Sequence, residues 1–156
     1  MNDINIKITS KESYVNKYND QRINPKLNNY LLEESKGINI NKKITIIVDN
    51  QFTMTEEEKQ QFIHMLKQNF KDDVIELKEI NKRIFIADII MFLLGIIFLL
   101  IYFIIGKYKI ISEITLIIGW VFLWESIYNV IFSKTEKKIK IKKRKQLINS
   151  KIIFKN

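Results

Sequence analysis

The chain has no cysteine, one proline, four glycines and a single histidine in 156 residues. Each scarcity closes a class of chemistry. Without cysteine there is no disulfide framework, no thiolate metal site and no cysteine nucleophile. Any histidine-dependent triad would have to use His64, and no G-x-S-x-G, G-x-G-x-x-G or Walker motif accompanies it. Four glycines leave little room for a phosphate-cradling loop. His64 shares a helical stretch with Glu57, Glu58 and Gln68, but a lone histidine there reads as a surface residue. Asp49, Asp72 and Asp73 are explained by turn and helix-end roles. The sequence predicts no catalytic residue, no metal and no cofactor. The amino end, Met1-Asn2-Asp3-Ile4-Asn5, has neither a basic nor a continuous apolar region, so no cleavable signal peptide is expected.

What the chain does have is two long apolar runs, residues 84–105 and 110–132, separated by Gly106-Lys107-Tyr108-Lys109. At about 1.5 Å per residue, a helix of about 20 residues spans the roughly 30 Å hydrocarbon core of a bilayer. The expected fold class is a membrane α-helical hairpin carrying a small cytoplasmic α+β domain built from both chain ends. Residues 1–83 would form the cytoplasmic α+β domain, and 84–132 the hairpin. Residues 133–156 would supply a basic cytoplasmic helix and a terminal strand that returns to the N-terminal domain.

The net charge is +9, and eight cations cluster after the second run: Lys134, Lys137, Lys138, Lys140, Lys142, Lys143, Arg144 and Lys145. That position favours a membrane-surface patch, with anionic lipid as a candidate partner, over nucleic acid. With Lys67, Lys71, Lys78, Lys82 and Arg83 before the first run, thirteen cations flank the hairpin against two, Lys107 and Lys109, in its turn. Positive-inside counting then predicts a multi-pass inner (cell) membrane protein with both termini in the cytoplasm.

Along the chain, Ile4-Asn5-Ile6-Lys7-Ile8-Thr9 alternates as a half-buried strand does. Residues 11–18 give no clear signal. Pro25 starts a short helix with Leu27, Tyr30 and Leu31 at helical spacing, and Gly37 stops it. Ile44-Thr45-Ile46-Ile47-Val48 is a second strand. Thr55 to Glu58 reads as a capping box that opens a helix with Phe62, Ile63, Leu66 and Phe70 on one stripe. That helix continues toward the first apolar run, with a bend near residues 71–73. A third strand is expected at Ser150-Lys151-Ile152-Ile153-Phe154, and the three strands would form one small mixed sheet covered by the capped helix.

Three segments carry a family likeness: Asn24-Pro25-Lys26-Leu27-Asn28-Asn29-Tyr30-Leu31-Leu32-Glu33-Glu34, the strand at 44–48, and Ile118-Gly119-Trp120-Val121-Phe122-Leu123-Trp124-Glu125. On these the chain resembles an uncharacterised family of small bacterial two-span membrane proteins of unknown function. The likeness covers most of the chain. It implies a soluble α+β segment, a helical hairpin, a basic helix and a terminal strand, and it brings no activity.

The candidate site is polar and intramembrane: Asp88 near the start of the first run, and Glu125, Ser126 and Asn129 near the end of the second. Charged groups inside a span are costly and usually face a partner, here Lys82 or Arg83. Glu125, at about 10 Å depth by helical rise, is the leading member. A structural lock is preferred to a proton- or ligand-coupled site. Gly95 and Gly119 would allow close helix approach, without a small-xxx-small pair to make it specific. Trp120 and Trp124 are assigned to helix packing. The function expected is non-enzymatic: a membrane-anchored domain that binds a protein partner or another copy of itself. The alternative is an oligomeric membrane effector or small transporter lined by Glu125.

Overall fold

The computed structural model describes residues 2–155, the side chains of Ser133 and Lys134 apart. The protein is mostly helical, with two long apolar helices and a small strand region. It divides into two compact units, Met1–Glu76 with Ile139–Asn156, and Leu77–Lys138.

The first unit is built on a sheet of β1 (Asp3–Ile8), β4 (Thr45–Asn50) and β5 (Lys151–Lys155), in the order β1-β4-β5. Both pairings are parallel, with Ile4 beside Ile46 and Ile46 beside Ile152. The sheet is therefore not the mixed one the sequence suggested. Each strand returns through a long crossover containing helices, and such crossovers are what parallel neighbours require. The period-2 pattern survives intact: Ile4, Ile6 and Ile8 are buried while Asp3, Asn5 and Lys7 are exposed.

Before β4 lie α1 (Lys11–Tyr14), an antiparallel pair of β2 (Val15–Asn16) and β3 (Asn19–Ile23), and α2 (Pro25–Lys36). The helix α1 and strand β2 lie in the stretch 11–18, which carries no clear sequence signal. Asn24 caps α2 by accepting from the Lys26 amide at 3.0 Å, with Pro25 in the first turn. Gly37 ends the helix in a right-handed conformation, φ −71°, so its freedom for positive φ is not used.

The helix α3 (Glu56–Ile105) is unbroken for 50 residues, with no interruption at 71–73. Its capping box is formed: the Glu58 amide donates to Thr55 Oγ1 at 3.2 Å, and the Thr55 amide donates to Glu58 Oε2 at 2.9 Å. Phe62, Leu66 and Phe70 are fully buried and close the core against Ile4, Ile6, Ile46 and Val48. Tyr14 and Phe154 each meet Phe62 edge-on, at centroid distances of 5.2 and 5.9 Å. Burial, and then the charge of Glu58, pushes the Tyr14 phenol above its ordinary pKa.

The second unit contains the apolar part of α3 and α4 (Lys109–Tyr128). After α4 a π-helical turn, Asn129–Ser133, leads into α5 (Lys134–Ile148). The connection between α3 and α4 is residues 106–108, as short as the sequence implied.

Candidate functional site

Within the second unit, α3 and α4 cross closely at two glycines. A Cβ added to Gly119 would lie 3.1 Å from the Gly95 carbonyl oxygen and 3.1 Å from Phe98 Cβ. One added to Gly95 would lie 2.7 Å from Leu123 Cγ and 3.1 Å from the Gly119 carbonyl oxygen. A side chain at Gly95 would force Leu123 to shift, and one at Gly119 would press on the Gly95 carbonyl and Phe98. Beside the crossing, Phe98 and Phe122 stack at 5.8 Å with 16° between their planes.

The buried face of α4 consists of Ser112, Thr115, Gly119 and Ser126. Thr115 and Gly119 are four residues apart, so a small-xxx-small pair is present after all, with threonine as one member. Ser112 Oγ donates to the Lys109 carbonyl at 3.0 Å and Thr115 Oγ1 to the Ile111 carbonyl at 2.8 Å. Their hydroxyls are thus satisfied within their own helix, and the stripe presents little more than methylene and backbone to α3.

The polar group lies toward the other end of the helix pair. Asp88 is 6 % exposed and Ser126 3 % exposed. Ser126 Oγ donates to the Asp88 carbonyl at 2.8 Å, and Asn129 Nδ2 donates to Asp88 Oδ1 at 3.2 Å. Asn129 is the first residue of the π turn, so the departure from α geometry begins at the residue that reaches the carboxylate. Turns of this kind recur at functional positions. An apolar hollow of about 270 Å³, lined by Ile89, Phe92, Ser126, Ile127, Val130 and Ile131, adjoins the serine.

Glu125, the leading member by sequence, is not in this group. It is exposed, whereas its neighbour Ser126 is buried. At 3.6 residues per turn, adjacent residues point about 100° apart, so one of the two had to leave the helix interface. Lys82 and Arg83 are also exposed, and no ion pair forms at Asp88 among the described residues. The assembled site is Asp88, Ser126 and Asn129: one carboxylate held by an amide, and two helices tied by side-chain bonds. Chemically it can clasp the helices. Among the described residues no group of three or more histidine, aspartate or glutamate side chains could hold a metal ion.

Trp120 and Trp124 do not pack between the helices. They are 63 % and 60 % exposed, alongside Ile117 and Val121. With Gly119 set inward against Gly95, the four-residue spacing of the two tryptophans carries both onto the outer face. Phe103 and Ile104 on α3 are more exposed still, at 77 % and 80 %.

The basic block also divides. Lys143 is not a surface cation. It is buried in the first unit and its ammonium donates to the carbonyls of Ser35, at 2.5 Å, and of Ile38. Ser35 lies in the last turn of α2 and Ile38 just beyond its Gly37 cap, where a cation complements the helix dipole. Burial holds the Lys143 pKa below its ordinary value. Arg144 Nε lies 3.3 Å from Asp73 Oδ2, itself 3.5 Å from Asn28 Nδ2, so this pair joins α5, α3 and α2. Lys138, Lys140, Lys142 and Lys145 are exposed, Lys137 is half-buried, and Lys134 lies outside the described residues. One contributor escaped the sequence reading altogether. Gln146 Nε2 donates to the carbonyls of Asn39 and Lys42, at 2.8 and 2.5 Å, and pins the loop after α2 to α5.

Comparison with family models, with curated proteins and with solved structures returns no match.

Proposed function

We propose that this chain is a non-enzymatic, two-span integral membrane protein that presents its α/β unit for contact with a partner protein or with a second copy of itself. Both termini lie on the cytoplasmic side of the cell membrane in this reading. One observation carries it. Two helices are long and apolar enough to cross a bilayer, and their large side chains face outward rather than into a core: Phe103, Ile104, Ile110, Ile117 and Trp120 are all more than half exposed. Such a band is far larger than the apolar patches tolerated on proteins in water. Hydrocarbon is the solvent that suits it, and the glycine crossing and the Asp88 clasp then serve to hold the hairpin together where apolar burial supplies no drive.

Alkaline carbonate extraction of membranes tests the anchoring. The chain is expected to remain in the pellet and to leave only with detergent; release by carbonate overturns the reading. Co-purification of tagged with untagged copies from detergent tests self-assembly.

A second reading, an oligomeric effector or small transporter, is favoured by one observation, the outward-facing Glu125. A carboxylate facing hydrocarbon is costly, and a neighbouring copy would relieve it. Glu125→Gln is then expected to change ion flux while leaving expression intact. Unchanged flux removes this alternative.

A further inference from the structure

The first unit has a basic groove in which Lys142 and Lys145 of the clustered cations meet Lys42 and Lys43, which lie outside that cluster. Two adjoining hollows, of about 390 and 440 Å³, lie between α5 and the loop after α2 and share Ile40, Asn41 and Lys142. Lys42, Lys43 and Lys145 line the first hollow, and Lys36 the second. No carboxylate lines either one. Lys42 and Lys43 come from a segment more than 90 residues before the basic helix, so sequence neighbourhood does not explain why these cations meet. The fold brings them together and keeps them there. Lys143 holds the end of α2 and Gln146 holds the carbonyls of Asn39 and Lys42, so the loop is fixed against the helix before any ligand arrives. Four like charges gathered around a hollow repel one another, and a di- or trivalent oxyanion relieves that repulsion while accepting from several ammonium donors at once.

We propose that this groove is a binding site for a phosphate group, carried either by an anionic lipid headgroup or by a soluble phosphate compound. Lys42, Lys43, Lys142 and Lys145 supply the donors, and Asn41 adds a neutral one at the seam of the two hollows. The lipid source rests on the membrane-spanning reading above; the phosphate site itself does not. It is distinct from a diffuse surface patch because it requires the loop lysines as well as the helix lysines.

The test uses the full chain in a neutral detergent, titrated separately with inorganic phosphate, dihexanoyl phosphatidylglycerol and dihexanoyl phosphatidylcholine, with backbone amide NMR shifts as the readout. Phosphate and phosphatidylglycerol are expected to shift amides at 40–43 and 142–149, and phosphatidylcholine to leave them in place. The triple variant Lys42→Gln/Lys43→Gln/Lys145→Gln removes exposed side chains only and is expected to bind at least about tenfold more weakly. The charge-matched triple Lys7→Gln/Lys17→Gln/Lys26→Gln, also exposed, is expected to bind as the wild type does. Much tighter binding of phosphatidylglycerol identifies the lipid source; equal or tighter binding of inorganic phosphate identifies the soluble one, and stands even if the chain proves not to be a membrane protein. Equal loss in both triple variants, or no shift at those amides with either anion, overturns the proposal.

Discussion

Adjacent lysines on α5 separate a structural cation from a solvated one. Lys142 is exposed, whereas Lys143 is buried with its ammonium on the carbonyls of Ser35 and Ile38. Replacing either by methionine removes one charge and keeps the aliphatic stem, so net charge and helix propensity change alike. The consequences differ because the acceptors differ. Ser35 O also accepts from the backbone amides of Gly37 and Ile38, so losing the ammonium leaves it partly satisfied. Ile38 O loses its cationic donor outright. An orphaned buried carbonyl costs about 1–3 kcal/mol, and the weaker loss at Ser35 adds about 0.5–1.5 kcal/mol. Relief of the ammonium's own desolvation offsets part of this, which leaves about 2 kcal/mol. For a domain of 60–100 residues that is a fall in melting temperature of about 8–16 °C. Lys142→Met should shift it by no more than about 2 °C, the scale of an ordinary surface substitution. Thermal melting of the detergent-solubilised chain, followed by near-ultraviolet circular dichroism, reads both. Equal effects of the two substitutions, or no effect of Lys143→Met, would refute the capping role.

Other perturbations follow from the same geometry. Because burial depresses the Lys143 pKa, the folded state holds that proton less tightly than the unfolded chain does. Stability from this group therefore rises with pH from the depressed value up to the ordinary 10.5, and a pH series of melts should show that rise in wild type and lose it in Lys143→Met. Gly119→Leu would drive a side chain into the Gly95 carbonyl and Phe98 and should strip hydrogen-exchange protection from both crossing helices; unchanged protection would contradict the close approach. Asn129→Ala removes one interhelical bond and should weaken the hairpin by about 0.6 kcal/mol, the usual scale for such bonds, whereas Asp88→Asn keeps the acceptor oxygen and should cost less. Thr55→Ala breaks half of the capping box and should cost the first unit about 1 kcal/mol in denaturant melts.

Local periodicity made much of this fold legible. The alternation at Ile4, Ile6 and Ile8, the Pro25 start, the Thr55–Glu58 box and the two apolar runs each determine their own segment through contacts a few residues apart. The strand order was not legible in that way. A parallel sheet depends on how crossovers return, and no short-range pattern encodes that. Depth along a helix carries no information on rotation about it: Ser126 faces inward and Glu125, about 100° away, does not. Trp120 and Trp124, expected in the helix packing, lie on the outer face, because the contact is made where Gly95 and Gly119 lack side chains. Lys143 looked like its seven neighbours in the basic block because only the carbonyls of Ser35 and Ile38, more than 100 residues earlier, distinguish it. The stripe of Ser112, Thr115, Gly119 and Ser126 was available in the sequence, once threonine and serine are counted as small.

Single-cysteine labelling decides whether the apolar parts of α3 and α4 lie in a bilayer with only their turn outside. The chain has no cysteine of its own, so each introduced thiol is unique. Lys107→Cys, Lys17→Cys and Ile97→Cys would be treated with a membrane-impermeant maleimide in intact and in permeabilised cells. Position 107 should label in intact cells, position 17 only after permeabilisation, and position 97 in neither. Ready labelling at position 97, or labelling of position 17 from outside, would contradict that placement.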